Sequence, residues 1–145
     1  MIYQISKLEN DIQNKNYNDI PKQSGIYRVL NLDELPIIFL PNSTNTNFSC
    51  YSVMKLKDKY SKTKSSGVLY IGKGINLHKR IKQYIQYGLN LANNHKGGRS
   101  IFQIQNYNQL YIEIIPCNNC ECTEKNMLLG LKDIFGELPV ANMRI

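Results

Sequence analysis

No stretch of this 145-residue chain is apolar for long enough to cross a bilayer. Its aliphatic and aromatic runs, such as Ile37-Ile38-Phe39-Leu40, break off quickly. The start, Met1-Ile2-Tyr3-Gln4-Ile5-Ser6-Lys7-Leu8-Glu9, lacks the basic, apolar and small-residue segments of a signal peptide. A secreted, membrane or fibrous protein is therefore not expected, and the expected location is cytoplasmic. Cysteine is limited to four residues, which in such a chain are expected as reduced thiols rather than a disulfide framework. Arginine is confined to Arg28, Arg80, Arg99 and Arg144, while Lys, Asn and Ile are abundant, as an AT-rich coding sequence produces. Where lysine is the default base, each arginine offers a planar two-pronged donor that lysine lacks. The most informative absence is acidic: residues 59 to 112 contain no Asp or Glu.

That middle segment carries 9 of the 18 basic residues, and the whole chain has a net charge of +7. A positive field with no local quenching is suited to a phosphate backbone. A lysine-rich solvated surface would have the same composition. No lysine helix with an exposed apolar face points to a membrane surface. At 42% hydrophobic and 20% charged, the chain has the makeup and length of one globular domain, 1–145.

Apolar residues at 2, 5, 8 and 12 predict an amphipathic helix over 2–14. Strands are expected at 25–32, 37–40, 68–71 and 110–115, and residues 42–66, rich in Asn, Ser, Thr and Lys, as part of a long surface excursion. Asn76 is placed to cap a helix from Leu77 to about Leu89, and Ser100 to Gln105 suggests a short helix. Thr123 is placed to cap a last helix over 124–135, closed by Gly136. This order of elements predicts an α/β or α+β sandwich.

Gly25-Ile26-Tyr27 and Tyr70-Ile71-Gly72 fall on two of these strands, Lys73 follows the second, and Arg80 lies on the next helix. Glu124 opens a later helix, and Asn142 follows Phe135-Gly136-Glu137-Leu138-Pro139. In these features, over residues 24–142, the chain resembles the GIY-YIG nuclease superfamily. The resemblance implies a small three-stranded, largely antiparallel sheet flanked by helices, and cleavage of phosphodiester bonds with one divalent metal. Two departures stand out. The segment between Tyr27 and Tyr70 is longer than usual, because of an insert at 31–66. Tyr84 stands four residues after Arg80, where restriction-type members have histidine and repair-type domains have tyrosine.

The residues themselves carry compatible chemistry. Leu77, Ile81 and Ile85 form the apolar stripe of their helix, and Arg80, Tyr84 and Tyr87 line one edge of it. Arg80 at a core boundary can clamp a phosphate; an ordinary salt bridge is the plainer reading. Glu124 projects from the same face as Met127, Leu128, Leu131, Ile134 and Phe135, where a carboxylate is costly unless paired or coordinated. Glu121 precedes the expected cap and has no fixed facing. Tyr27 and Tyr70 are core aromatics by default, yet a tyrosine pair beside Lys73 can hold or activate a water, and the lysine would favour a phenolate on Tyr70. Lys79 and Lys82 lie further round the helix. His95, Lys96 and Arg99 flank a Gly97-Gly98 loop that could reach substrate. Cys117, Cys120 and Cys122 lack a nearby fourth ligand for zinc.

The expected function is a one-metal DNA endonuclease using Mg²⁺ or Mn²⁺, acting on double-stranded or branched DNA and leaving a 5′-phosphate. Glu124 is the expected metal ligand, Tyr27 with Tyr70 and Lys73 the water-handling group, and Arg80 the phosphate clamp. Tyr84 and Asn142 support the site. Lys79, Lys82, His95, Lys96 and Arg99 are expected to bind nucleic acid. Specificity is left to the 31–66 insert, the 90–99 loop, a partner or a homodimer. The alternatives are a non-catalytic nucleic-acid-binding domain that keeps the nuclease fold, and a zinc-dependent interaction module built on the cysteines.

Overall fold

A computed structural model of the protein describes residues 1–93, 95 and 97–145. Four strands, β1 (Ile2–Gln4), β2 (Gly25–Leu30), β3 (Val68–Gly74) and β4 (Tyr111–Pro116), form one sheet in the order β1-β4-β2-β3. Every pairing is antiparallel. The helices are α1 (Ile5–Gln13), α2 (Val53–Thr63), α3 (Leu77–Gly88) and α4 (Cys120–Phe135). The fold is therefore α+β, with a fourth strand, β1, beyond the three-stranded sheet that the resemblance implies. No helix among the described residues is long and apolar enough to cross a membrane.

Burial explains the layering. Strand β2 sits between two neighbours, and five of its six residues are buried. On one face of the sheet, Tyr27, Val29, Tyr70, Ile112 and Ile114 pack with residues of α1 and α3. On the other, Leu30, Val68 and Ile71 pack against Leu128 of α4 and Leu138. Helix α3 turns the expected stripe inward: Leu77, Ile81 and Ile85 are buried, together with Tyr84 and Tyr87. Its cap is as expected, since Asn76 Oδ1 accepts from Lys79 N at 3.1 Å.

Several expectations need correction. The N-terminal helix starts only at Ile5, because Ile2–Gln4 pairs with β4 as an added edge strand. Residues 37–40 are not a strand; Phe39 makes one isolated bridge to Ile104. The insert contains α2, capped by Ser52, whose side chain accepts from Lys55 N. Residues 99–103 form a short 3-10 helix. Helix α4 begins at Cys120, so Thr123 is not its cap; the Thr123 hydroxyl donates to Asn119 O at 2.8 Å. Glu121 therefore lies within the first turn. Ile134, expected on the buried face, is exposed.

Strand β3 is the last in the sheet, so one of its edges has no strand partner. The C-terminal segment covers it. Ala141 N donates to Leu69 O at 2.9 Å. The Asn142 side chain then clasps the Ile71 peptide groups: Ile71 N donates to Oδ1 and Nδ2 donates to Ile71 O, both at 2.9 Å. Lys59, on α2, donates to Asn142 O and so ties the insert to the same point. Asn142→Ala should destabilise the protein by about 1–3 kcal/mol for each Ile71 group left buried and unpaired. Urea unfolding measures the loss, and hydrogen exchange should localise it to the Ile71 amide. Asn142→Asp should not restore stability, because its second oxygen would face the Ile71 carbonyl.

Candidate active site

The two half-motifs meet through strand register. Tyr27 lies opposite Gly72, and Val29 opposite Tyr70. A Cβ on Gly72 would stand 2.5 Å from Tyr27 Cζ, so only glycine leaves room for that ring. Tyr27, Tyr70 and Tyr84 then form one aromatic cluster, with ring centroids 5.7 to 5.9 Å apart. All three are buried.

The Gly97-Gly98 loop lies on this cluster. Tyr84 donates its hydroxyl proton to Gly98 O at 2.8 Å. Gly98 has φ +68, and a Cβ there would come within 2.9 Å of the Tyr70 ring. The loop is thus a cover for the tyrosines.

Burial pushes all three phenols above their ordinary pKa, and the Arg80 guanidinium opposes the shift at each. Tyr27 raises the cost of ionising Tyr70 further, while the Tyr70 hydroxyl eases that of Tyr27. The expectation that Lys73 favours a Tyr70 phenolate is therefore corrected. The lysine instead stands 3.7 Å from Glu124 Oε1 and 3.7 Å from Glu121 Oε1. Tyr27 Oη is buried with no hydrogen-bond partner among the described residues. Tyr70 and Arg80 are polar neighbours that ease its ionisation.

Glu124 projects inward from α4, its side chain 17% exposed against 86% for Glu121. Burial pushes its carboxyl above the usual carboxylate value, partly countered by Lys73 and reinforced by Glu121. Arg80 is half-buried on α3 and has no acidic partner within 4.0 Å among the described residues. Arg28, by contrast, is engaged on the sheet, its Nε donating to Glu113 at 2.8 Å.

Tyr70, Lys73, Glu124 and Asn142 line a single cleft of about 620 Å³. Tyr27 and Tyr84 stand behind Tyr70, and Asn142 fixes β3 from outside. The structure thus gathers Tyr27, Tyr70, Lys73, Tyr84, Glu124 and Asn142, with the Arg80 charge acting on the same tyrosines and on Glu124.

The expected nucleic-acid contacts fare differently. Lys79 and Lys82 are exposed on α3. His95 is fully buried against Tyr84, at 4.6 Å between ring centroids, and cannot reach out as expected. Burial, with the Arg80 and Arg99 charges, pushes its imidazole down to about 3. Arg99 is held between the Phe48 and Tyr87 rings, at 5.3 and 5.5 Å, and its Nε donates to His95 O. It braces the loop instead of standing free. Lys96 lies outside the described residues.

Sequence reasoning missed two contributions of the insert, Tyr51 on the cleft wall and Lys59 beneath Asn142. Nothing in their linear spacing marks them. The cysteines are free thiols, and no group of three or more His, Cys, Asp or Glu gathers among the described residues. Comparison with models of known protein families, with curated proteins and with solved structures found no match to this chain.

The Glu124 environment can be read directly by carboxyl-carbon NMR titration. Glu124 should titrate above an ordinary glutamate. Lys73→Met removes the cation that favours its ionised form and should move the midpoint further up. Glu121→Gln removes a like charge and should move it down. A midpoint unmoved by Lys73→Met would mean that the ion pair does not form in solution.

Proposed function

We propose that the protein is a divalent-metal-dependent endonuclease of the GIY-YIG type, hydrolysing DNA phosphodiester bonds. The observation that carries this reading is the convergence of Tyr70, Lys73 and a half-buried carboxylate at one cleft, with Tyr27 packed against Tyr70. These residues are scattered from 27 to 124 in the chain, and an ordinary core has no need of Glu124 there.

The donor set fits Mg²⁺ or Mn²⁺. Such hard cations are held by one or two carboxylates, with waters and substrate phosphate completing the shell. Glu124 would supply the carboxylate, and the unpartnered Tyr27 hydroxyl is a ready partner for an ordered oxygen. When bound, the ion supplies Lewis acidity at the phosphate. Arg80 neutralises charge developing on the phosphate oxygens, with two donors in one plane. Tyr27 and Tyr70, kept as neutral phenols by burial, orient the attacking water by hydrogen bonding. Water attacks phosphorus as the bond to the 3′ oxygen breaks, leaving a 5′-phosphate. Lys73 balances the charge of Glu124 before substrate arrives.

The deciding assay incubates the protein with supercoiled, linear and branched DNA, with magnesium, with manganese and with chelator. Cutting should require metal. Glu124→Gln keeps shape and helix propensity and should bind DNA without cutting it. Glu121→Gln, at an exposed position, should retain activity. Arg80→Lys should lose about 100- to 1,000-fold in turnover with binding nearly kept, since the fork matters most in the transition state. Normal cutting by the Glu124 variant, or equal cutting in chelator, would falsify the proposal. Metal-independent binding with no cutting in either metal would favour a non-catalytic binding domain.

Binding itself should weaken steeply with salt, by about 0.9 log units per log unit of salt for each phosphate neutralised. Lys79→Ala and Lys82→Ala should each lower that slope and leave turnover unchanged. A flat response would remove the electrostatic footprint.

A further inference from the structure

The insert reaches the cleft through one aromatic side chain, and that side chain is unusually well supported. Gln103 is fully buried, and its amide is spent on the insert. Tyr51 N donates to Gln103 Oε1 at 2.9 Å, and Gln103 Nε2 donates to Tyr51 O at 3.0 Å. The same Nε2 donates to Leu40 O at 3.1 Å, gripping the insert at a second point. Both backbone groups of Tyr51 are therefore fixed from the core.

Its ring is braced as well. Phe48 meets it edge-on, with centroids 5.5 Å apart and planes at 62°. Phe48 in turn packs on Tyr87 and lies under the Arg99 guanidinium. The support thus runs from Tyr51 through Phe48 to helix α3. Yet Tyr51 is not buried: the residue is 36% exposed and lines the cleft with Tyr70, Lys73 and Glu124. A fixed backbone, a ring packed on Phe48 and a partly exposed position on the wall of a cleft that charged groups also line are the makings of a stacking platform.

We propose that Tyr51 stacks on a nucleobase, and that the cleft takes a strand whose base beside the attacked phosphate is unpaired. This rests on the reading above that the cleft receives nucleic acid. The substrate class is then single-stranded, flap or branched DNA in preference to an intact duplex. Gly97, Gly98 and the 141–145 segment line the cleft beside Tyr51 as well. A base inside a duplex is stacked on both faces and has none to offer Tyr51 until it is unstacked.

The test uses the full chain in chelator and a DNA oligonucleotide carrying 2-aminopurine, whose fluorescence falls on stacking. The parent protein and Tyr51→Phe should quench the single-stranded probe. Tyr51→Leu should abolish the quench and weaken binding about 5- to 150-fold, the range of about 1–3 kcal/mol per stacked base. A matched duplex with the same probe should bind more weakly and show no added quench. Circular dichroism and thermal melting confirm that the leucine variant is folded, as its backbone contacts do not involve the ring.

The inference is overturned if Tyr51→Leu quenches and binds like the parent, or if the matched duplex binds as tightly as the single strand. Cutting in magnesium, read on the same DNAs, separates this from the broader reading. Equal cutting of intact duplex and flap, unaffected by Tyr51→Leu, overturns the stacking role and leaves the nuclease standing. Quenching that depends on Tyr51, with no cutting, supports the stacking role and removes the nuclease. A protein that neither binds nor cuts any of these DNAs overturns both.

Discussion

An edge strand must satisfy a row of backbone groups without inviting another chain to pair with them. In this protein that edge belongs to β3, the strand that carries Tyr70 and Lys73. The solution is a side chain acting as a piece of backbone. The Asn142 amide offers both a donor and an acceptor, and it meets the carbonyl and N–H of Ile71 as a neighbouring strand would. Together with the Ala141 N–H on Leu69 O, the clasp covers the edge. It holds β3 between β2 on one side and the C-terminal segment on the other. Tyr70 and Lys73 flank Ile71, so their placement depends on that clasp. Lys59 extends the arrangement, since its ammonium donates to Asn142 O and ties α2 to the same residue. The insert and the site are therefore coupled through one asparagine.

The aromatic cluster imposes a second constraint. Three phenols in a buried space resist ionisation chiefly because burial disfavours the charged form; Tyr27 adds to the cost at Tyr70, and both add to it at Tyr84. Arg80 is the one strong opposing influence at all three, and no carboxylate lies within 4.0 Å of it among the described residues. Tyr27 is fully buried, with Tyr70 and Arg80 as the polar neighbours that favour its ionised form.

Much of this was legible where local signals agree with the fold. Gly25-Ile26-Tyr27 and Tyr70-Ile71-Gly72 read as strands and are strands, because their residues are buried on both faces of the sheet. The stripe of Leu77, Ile81 and Ile85 and the Asn76 cap define α3 with little ambiguity. Other elements hide because their signals are weak or shared. Ile2 and Ile5 fit a helical period, but Ile2 belongs to a three-residue strand whose existence depends on β4, more than a hundred residues away. Helix α2 buries only Leu56 and Thr63, so its lysines and serines read as a loop. His95 and Arg99 look like free polar residues in sequence. Their fate is decided by Tyr84, Tyr87 and Phe48, which come from other elements.

The insert shows why composition misleads. A segment rich in Asn, Ser and Lys has little apolar surface to anchor it, and a solvated excursion is the natural expectation. It is anchored by buried amides together with Phe39 and Leu56, which pack in the core. Asn45, 1% exposed, donates to Tyr87 O and Ala92 O, and Gln103 holds Tyr51 and Leu40. Each amide replaces several water contacts with directed bonds, which fixes position more sharply than apolar packing does. Polar anchoring of this kind leaves no hydrophobic period to detect. It does leave Tyr51 in a defined place on the wall of the cleft that Lys73 and Glu124 also line. The polar composition that makes the insert look disordered is thus the means by which it forms a wall of the cleft.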